Sequence, residues 1–485
     1  MKKTAGPALS PAAESATART MRERLGSLLG RQGEALSPRV LRRTLAELQA
    51  VGNPLISDVE GARLAAGVAQ WYARATAQQR HDCWLLMSEQ FAPDVSMLEE
   101  ARRDYEAALG TPAEAQAEVR LRRAFISPRT RLLQRFAAFP DGMRFLVDMR
   151  AELLPALKSD KRLLALDAEL QALFSTWFDV AFLDLQRISW QSPAALVEKL
   201  IKYEAVHDIT SWADAKNRLD EDRRCYGFFH PRLPGEPLIF VEVALLQEMA
   251  ASIPPLLDES AAHADLSRAN TAIFYSISNT QQGLKGVSFG DSLIKRVVEA
   301  LRAEFGQIKT FATLSPIPGL RGWVQAHAGE LLQAASSRSR QALARQLGAA
   351  GKGDKGDKGD KGDKGDKGDK GDVTAEALLK ALEGVTALDE KSPLARWLLA
   401  AAARYLGRET DAQKRPLDAV ARFHLGNGAR VERINWLGDP SPKGLKQSWG
   451  LMVNYYYDLR RLDKHRALLA QGKIAVSGAV ESLRE

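Results

Sequence analysis

An α-helical bundle followed by an α/β domain is the fold class this sequence predicts, on three observations. From Met21 to Trp177 apolar residues recur three and four apart, with no alternating strand pattern. Strand-like apolar runs begin only further on, mixed with helical stretches. The length of 485 residues exceeds the roughly 250 to 300 at which a single core stops growing, so more than one domain is expected. The expected organisation is a disordered tail over residues 1–20, a helical bundle over 21–178 and a second domain over 179–485.

Within the first part, Pro38 opens VLRRTLAELQAV, and VEGARLAAGVAQWYARA, MLEEARRDYEAAL, EVRLRRAFI, LLQRFAAF, MRFLVDMRAELLPAL and LLALDAELQALFSTWF follow at helical spacing. His81, near Cys83 and Trp84, reads as helix surface or a satisfied core group, not a metal ligand. With many helices and no catalytic constellation, this part is expected to serve packing or assembly.

Composition changes around Phe178 to Trp190. EPLIFVEVALL from Glu236, introduced by Pro234-Gly235, reads as a buried strand, and AIFYSI, IKTFATLSPIPGL and RVERINWLG continue the series. The run Gly351 to Asp372 repeats Gly-Asp-Lys with nothing apolar to bury. It lacks the proline of a collagen strand, and helical patterns resume in AEALLKALEGV and LARWLLAAAARYL, so it reads as a flexible surface loop interrupting the domain.

The stretch TAIFYSISNTQQGLKGVSFGDSLIKRVVEAL, Thr271 to Leu301, reads as strand, glycine-rich loop and helix. Glycines allow close backbone approach, and the N–H groups at a helix start favour an anion such as phosphate. Lys285 in the loop and Lys295 and Arg296 on the first helical turns add positive charge. Neither GxxxxGK[ST] nor GxGxxG occurs here. Lys285-x-x-Ser288-x-Gly290 occupies, with substitutions, the register of the pyrophosphate loop of acyl-CoA-handling GNAT folds. A ligand-free strand-to-helix connection explains the loop equally well.

The net charge of +8 would suit nucleic acid, a membrane surface or an anionic small ligand. Basic residues alternate with acids along helices and form no dense block with aromatics, which argues against nucleic acid. Cys83 and Cys225 are the only cysteines and form no CxxC, so a reducing compartment is expected. No apolar run approaches the roughly 20 residues that span a bilayer, and no secretory signal is apparent, so a cytoplasmic protein is expected, its first residues being a tail in preference to a transit peptide.

Three further stretches carry candidate chemistry. In FATLSPIPGL, Ser315 precedes Pro316 and Pro318, so a strand is expected to end with the hydroxyl at its mouth. In FHLGNG, His424 is followed by an Asn-Gly turn signal. The third runs from Arg433 through Ser441 and from Gly450 to Tyr457. Taken singly, Ser315 reads as a turn hydroxyl and His424 as a capping or core histidine; a dyad requires the two to meet in space.

Five blocks, HPRLPGEPLIFVEVAL, FYSISNTQQGLKGVSFGDSLIKRVV, FATLSPIPG, RFHLGNGARVERINW and SWGLMVNYYYDL, together resemble the malonyl-CoA decarboxylase family, in the same order and across the chain from Met21 onward. The resemblance implies a helical domain used in oligomerisation, with a tetramer suggested, and a GNAT-like acyl-CoA-binding catalytic domain. It implies a catalytic pair that falls on Ser315 and His424. It places the acyl-CoA loop on Lys285, Gly286, Val287, Ser288, Phe289, Gly290 and Asp291, and Ser441 and Tyr457 at the pocket border. Ser288 stands where relatives can carry an acid, the Gly-Asp-Lys repeat is foreign to the family pattern, and the chain ends in Ser-Leu-Arg-Glu without the Ser-Lys-Leu address of some relatives.

The reaction so implied is loss of CO₂ from a malonyl thioester. The carbonyl absorbs the resulting charge as an enolate, so no metal or organic cofactor is expected. The protein must supply donors to the enolate oxygen and a proton to carbon. Ser315 is expected to hydrogen-bond the malonyl group, oriented by His424; which of them hands over the proton stays open. A strong Arg pair on the carboxylate would oppose its loss, so an apolar and aromatic cradle with Tyr457 and Trp436 is expected. Malonyl-CoA is thus the expected partner. The alternatives are a GNAT-type acyltransferase and an acyl-CoA-binding scaffold.

Overall fold

The computed structural model describes residues 38–287, 289, 293–350 and 373–484. The expectations for the tail 1–20, the repeat 351–372 and loop residues Ser288, Gly290 and Asp291 lie outside them. The chain divides into two compact units: one takes the chain through Phe182 together with His230–Pro234 and Gln281–Phe289, the other Leu183–Phe229, Gly235–Thr280 and the chain from Gly290 on.

The first unit is helical, and its helices start where the sequence supplies a cap. Ser57, Asp94 and Ser127 each accept an N–H of the helix they open, and Thr76 and Gln79 form a reciprocal capping box. Leu41, Leu45 and Leu48 share the buried stripe of helix Pro38–Gly52, and Phe136 stacks on Phe145 with ring centres 5.4 Å apart. Buried arginines satisfy backbone carbonyls that the helices leave over. Arg135 donates to the carbonyls of Val51 (2.5 Å), Asn53 (2.7 Å) and Ile56 (2.9 Å). His81 lies 3.4 Å from Asp160, and Cys83 is buried.

The second unit is built on a mixed sheet: β1 (Asp184–Ile188), β2 (Arg223–Phe229), β3 (Pro237–Leu246), β4 (Thr271–Asn279), β5 (Thr310–Thr313), β6 (Ser315–Pro316), β7 (Arg430–Asn435) and β8 (Met452–Tyr456). The path runs β1-β2-β3-β4-β5-β8-β6, with β7 also on β8. β1 to β4 pair antiparallel, whereas β4 and β5 pair parallel, which requires a crossover, supplied by helix Leu293–Glu304. β2 and β3 are almost wholly buried, as central strands covered on both faces must be. Helices Ala194–Tyr203 and Trp212–Arg218 place Val197, Leu200 and Ala215 against Ile188, Cys225 and Phe240. Arg218, itself buried, ties its helix to the sheet through Asp214 (2.7 Å) and Glu242 on β3 (3.3 Å).

The consequence for function is topological. β8, some 140 residues beyond β5 in the chain, pairs with both β5 and β6, and β7 joins helix Ala419–Gly426 to the same strand. No helix among the described residues is long and apolar enough to cross a membrane.

Candidate active site

Ser315 does not sit at the mouth of a finished strand. β5 ends at Thr313, and Ser315 and Pro316 re-enter the sheet as β6, opposite Val453 and Met452 of β8. Proline is admitted because β6 ends the sheet path, where its missing N–H costs no central ladder bond. His424 lies on helix Ala419–Gly426, which begins because Asp418 accepts the N–H groups of Val420 and Ala421 at 2.9 and 3.0 Å. The other carboxylate oxygen of Asp418 accepts from Gly319 N–H at 3.3 Å and from the Tyr405 hydroxyl at 3.5 Å. One buried side chain therefore ties the helix of His424 to the loop that follows Ser315.

These elements bring the sequence-distant pair together. Ser315 Oγ is 3.3 Å from His424 Nε2, and His424 Nδ1 is 2.7 Å from the Tyr457 hydroxyl. Ser315 donates to Thr313 Oγ1 at 2.8 Å, and the backbone N–H of Tyr455 donates to the same oxygen at 3.1 Å. A hydroxyl has one proton, so with Ser315 donating to Thr313, the His424 contact runs from Nε2–H to Ser315 Oγ. Nδ1 is then bare and accepts from Tyr457. The line reads Tyr457 to His424 to Ser315 to Thr313.

Burial sets the charges. Ser315, His424 and Tyr457 are 5%, 3% and 2% exposed. Desolvation lowers the pKa of His424 to about 3 and pushes the Tyr457 phenol well above its ordinary value, so the line is neutral near pH 7. Among the described residues no carboxylate bonds Nδ1, and the position that would support an imidazolium in a serine-protease triad is held by a phenol. The arrangement suits proton donation through Ser315 better than nucleophilic attack by it.

Aromatic surface surrounds the imidazole. Tyr455 stacks on it with ring centres 4.7 Å apart and 26° between planes, Phe423 meets its edge, and Phe274 packs on Tyr457. Tyr455 and Tyr457 are two apart on an extended chain and so face the same side. Arg433 on β7 is engaged by Asn454 Oδ1 (3.0 Å) and by the carbonyls of Met249 and Ala250. Asn454 in turn donates to the Thr313 carbonyl at 2.6 Å, pinning the strand beneath Ser315.

The other expected site residues take different places. Ser441 caps helix Pro442–Ser448, accepting from Gly444 N–H at 3.1 Å, and makes no hydrogen bond to the Ser315–His424 line. Trp436 is half-buried beyond β7. Lys285, Gly286, Val287 and Phe289 lie in the segment that groups with the helical unit, not within the sheet domain where the sequence reading put the loop. Lys285 and Gly286 are exposed and Val287 buried. Arg296 donates to the Leu183 carbonyl at 2.6 Å and lies over the Phe228 ring. Sequence reasoning missed Thr313, Tyr455 and Asp418. Two had signals: Thr313 is two before Ser315 on a strand, hence on its face, and Asp418 precedes AVARFHLG as an N-cap should.

A helical unit followed by a mixed-sheet unit, with a buried phenol, imidazole and hydroxyl in one hydrogen-bonded line, defines a two-unit protein with the geometry for internal proton transfer. The family model described as malonyl-CoA decarboxylase C-terminal domain matches residues 181–485, and the corresponding N-terminal domain matches 91–178. The chain is 38% identical over 356 residues to the mitochondrial malonyl-CoA decarboxylase of Anser anser anser, covering 71% of this chain and 66% of that one. It is likewise 38% identical to the Mus musculus protein of that name, over 71% of this chain and 68% of that one. It thus spans about two thirds of the length of these vertebrate relatives. Crystal structures of malonyl-CoA decarboxylase from Rhodopseudomonas palustris (TM-score 0.75, 39% identity, 91% of this chain and 99% of that one) and Cupriavidus metallidurans (0.68, 40%, 92% and 100%) share the fold. This chain belongs to the malonyl-CoA decarboxylase family. The vertebrate names say mitochondrial, which does not support the cytoplasmic location expected from the sequence.

Proposed function

We propose that this protein decarboxylates malonyl-CoA to acetyl-CoA and CO₂, with Ser315, His424 and Tyr457 supplying the proton. The observation that carries the mechanism is the neutral line from Tyr457 through His424 to Ser315 at 2.7 and 3.3 Å; membership of the family supports the substrate. The C–C bond to the carboxylate breaks, its electron pair passes to the thioester as an enolate, and CO₂ leaves. The α-carbon takes the Ser315 proton, Nε2–H replaces it, and the Tyr457 hydroxyl protonates Nδ1; a proton from water then enters at Nε2 as Nδ1–H returns to the Tyr457 oxygen, which restores the starting tautomer and consumes one proton per turnover. The same Ser315 proton, released from Thr313, hydrogen-bonds the developing enolate oxygen before it passes to the α-carbon. The aromatic walls leave the malonyl carboxylate without a strong cationic partner, which favours its loss.

In the same reading the sheet unit is a GNAT-like acyl-CoA fold, the loop from Lys285 takes the CoA phosphates, Ser441 borders the pocket and no cofactor takes part. The protein acts as a homo-oligomer assembled through the helical unit, a tetramer by family resemblance. The domain division at 178/179 belongs to this reading. Acyl transfer to an amine is not favoured, because the named relatives are decarboxylases. Incubation with malonyl-CoA tests the proposal: acetyl-CoA and CO₂ should appear in equal amounts without an amine acceptor. Acyl-CoA binding without turnover, or turnover only with an amine, would overturn it.

A further inference from the structure

The segment Gln281–Phe289 is held by the helical unit through specific contacts. Leu284 to Val287 form a β-turn closed by Val287 N–H on the Leu284 carbonyl at 3.0 Å. Lys285 has φ −57° and ψ 128° and Gly286 has φ +80°, the values of a type II turn, whose third position needs glycine. In such a turn the central peptide, Lys285 C=O with Gly286 N–H, has one defined orientation, and in a type I turn it is rotated by about 180°.

Arg150 selects that orientation. Its side chain is 1% exposed, Nε donates to Asp167 at 2.8 Å, and Nη1 donates to the carbonyls of Gly283 at 2.7 Å and Lys285 at 2.9 Å. Gln171 adds a bond to the Gly286 carbonyl at 2.8 Å. Gly283 packs so tightly that an added Cβ would lie 1.9 Å from the Val147 carbonyl oxygen. N–H and C=O of a trans peptide point in opposite directions. With the Lys285 carbonyl drawn onto Arg150, the Gly286 N–H is directed away from it, and among the described residues it has no acceptor. An exposed turn results that presents an outward amide beside the Lys285 side chain, which suits an anion.

We propose that Arg150 is a positioning residue for acyl-CoA binding: from within the helical unit it locks the Lys285–Gly286 peptide so that the amide and Lys285 face a phosphate of the substrate. The proposal rests on the acyl-CoA reading of the loop above. It gives the helical unit a part in substrate affinity beside assembly.

The test compares Arg150→Lys and Gln171→Ala with wild type in the full chain. Lysine keeps a charge but has one nitrogen, so it cannot hold Asp167 as Nε does and the two carbonyls as Nη1 does at the same time. Gln171→Ala is a mild change on a partly exposed helix face and keeps the test alive if the first variant fails to fold. Three readouts are taken: kcat and KM for malonyl-CoA, the same for malonyl-pantetheine, which lacks the nucleotide phosphates, and hydrogen exchange of residues 282–287. KM for malonyl-CoA should rise about tenfold in Arg150→Lys and about threefold in Gln171→Ala, with kcat within about twofold, as expected for lost uniform binding. Malonyl-pantetheine kinetics should not change, and loop exchange should accelerate. Unchanged exchange with unchanged KM would overturn the role of Arg150 and leave the acyl-CoA reading standing. Faster exchange with unchanged KM would overturn the acyl-CoA reading of the loop, and the proposal with it. Equal impairment of both substrates would show a general structural defect and refute the positioning role.

Discussion

Replacing Tyr457 by Phe removes one oxygen from the line and little else. The ring keeps its contact with Phe274, 6.3 Å between centres, and the backbone N–H keeps its bond to the Phe311 carbonyl at 2.9 Å. What is lost is the 2.7 Å bond to His424 Nδ1, at a site where both partners are 3% exposed or less. A buried polar atom left without a partner costs about 1–3 kcal/mol. The imidazole can lessen that cost only by changing tautomer or tilting, and either removes Nε2–H from Ser315. If the whole penalty appears in the barrier, kcat falls about 5- to 150-fold, since each 1.36 kcal/mol is about a factor of ten. Steady-state acetyl-CoA formation from malonyl-CoA measures this, and KM should stay within about twofold because the change removes no group assigned to the CoA phosphates. A Tyr457→Phe enzyme with wild-type kcat would refute the argument that the phenol fixes the working tautomer.

Other consequences can be measured alongside. With the His424 pKa at about 3, the imidazole is already neutral throughout the physiological range, so kcat/KM should show no histidine limb between about pH 5 and 8; a limb near 6.5 that His424→Gln abolishes would contradict this. Asp418→Ala should lower stability by about 1–2 kcal/mol through the lost cap and reduce kcat by loosening helix Ala419–Gly426 from Gly319, whereas Asp418→Asn should recover most of the stability in urea titration. Burial lowers the His207 pKa to about 4, and its Nε2 has no partner among the described residues. Between pH 6.5 and 4 the unfolded chain therefore holds a proton there that the folded chain does not, so this group's contribution to stability is present above 6.5 and is lost as pH falls. Wild-type stability relative to His207→Gln should drop by about 2 kcal/mol from pH 7 to 5, and a pH-independent difference would sink the assignment.

Where local pattern decides structure, the sequence was readable. The helical unit follows from 3.6-residue periodicity and caps such as Ser57 and Thr76, and β3 and β4 from apolar runs bounded by turns. β2 was not legible, because RRCYGFF opens on two arginines whose burial depends on distant partners: Arg224 on Glu304 at 2.6 Å and Arg223 on the Leu256 carbonyl at 3.2 Å. β8 was missed for a related reason, since a five-residue strand declares itself only against β5, β6 and β7. Ser315 and His424 came from family resemblance, but Thr313 as acceptor for Ser315 depends on a rotamer that no spacing encodes. Arg150 sits in MRFLVDMRAELLPAL like any helix-surface charge, and only the carbonyls of Gly283 and Lys285 explain why it is buried.

The most direct measurement follows CO₂ release from malonyl-CoA by the wild-type chain and by Ser315→Ala and His424→Ala. Release matched by acetyl-CoA in wild type, falling about 10²- to 10⁴-fold in either variant while CoA still binds, is the predicted result. Near-normal release from either variant would contradict the proton line on which the mechanism is built.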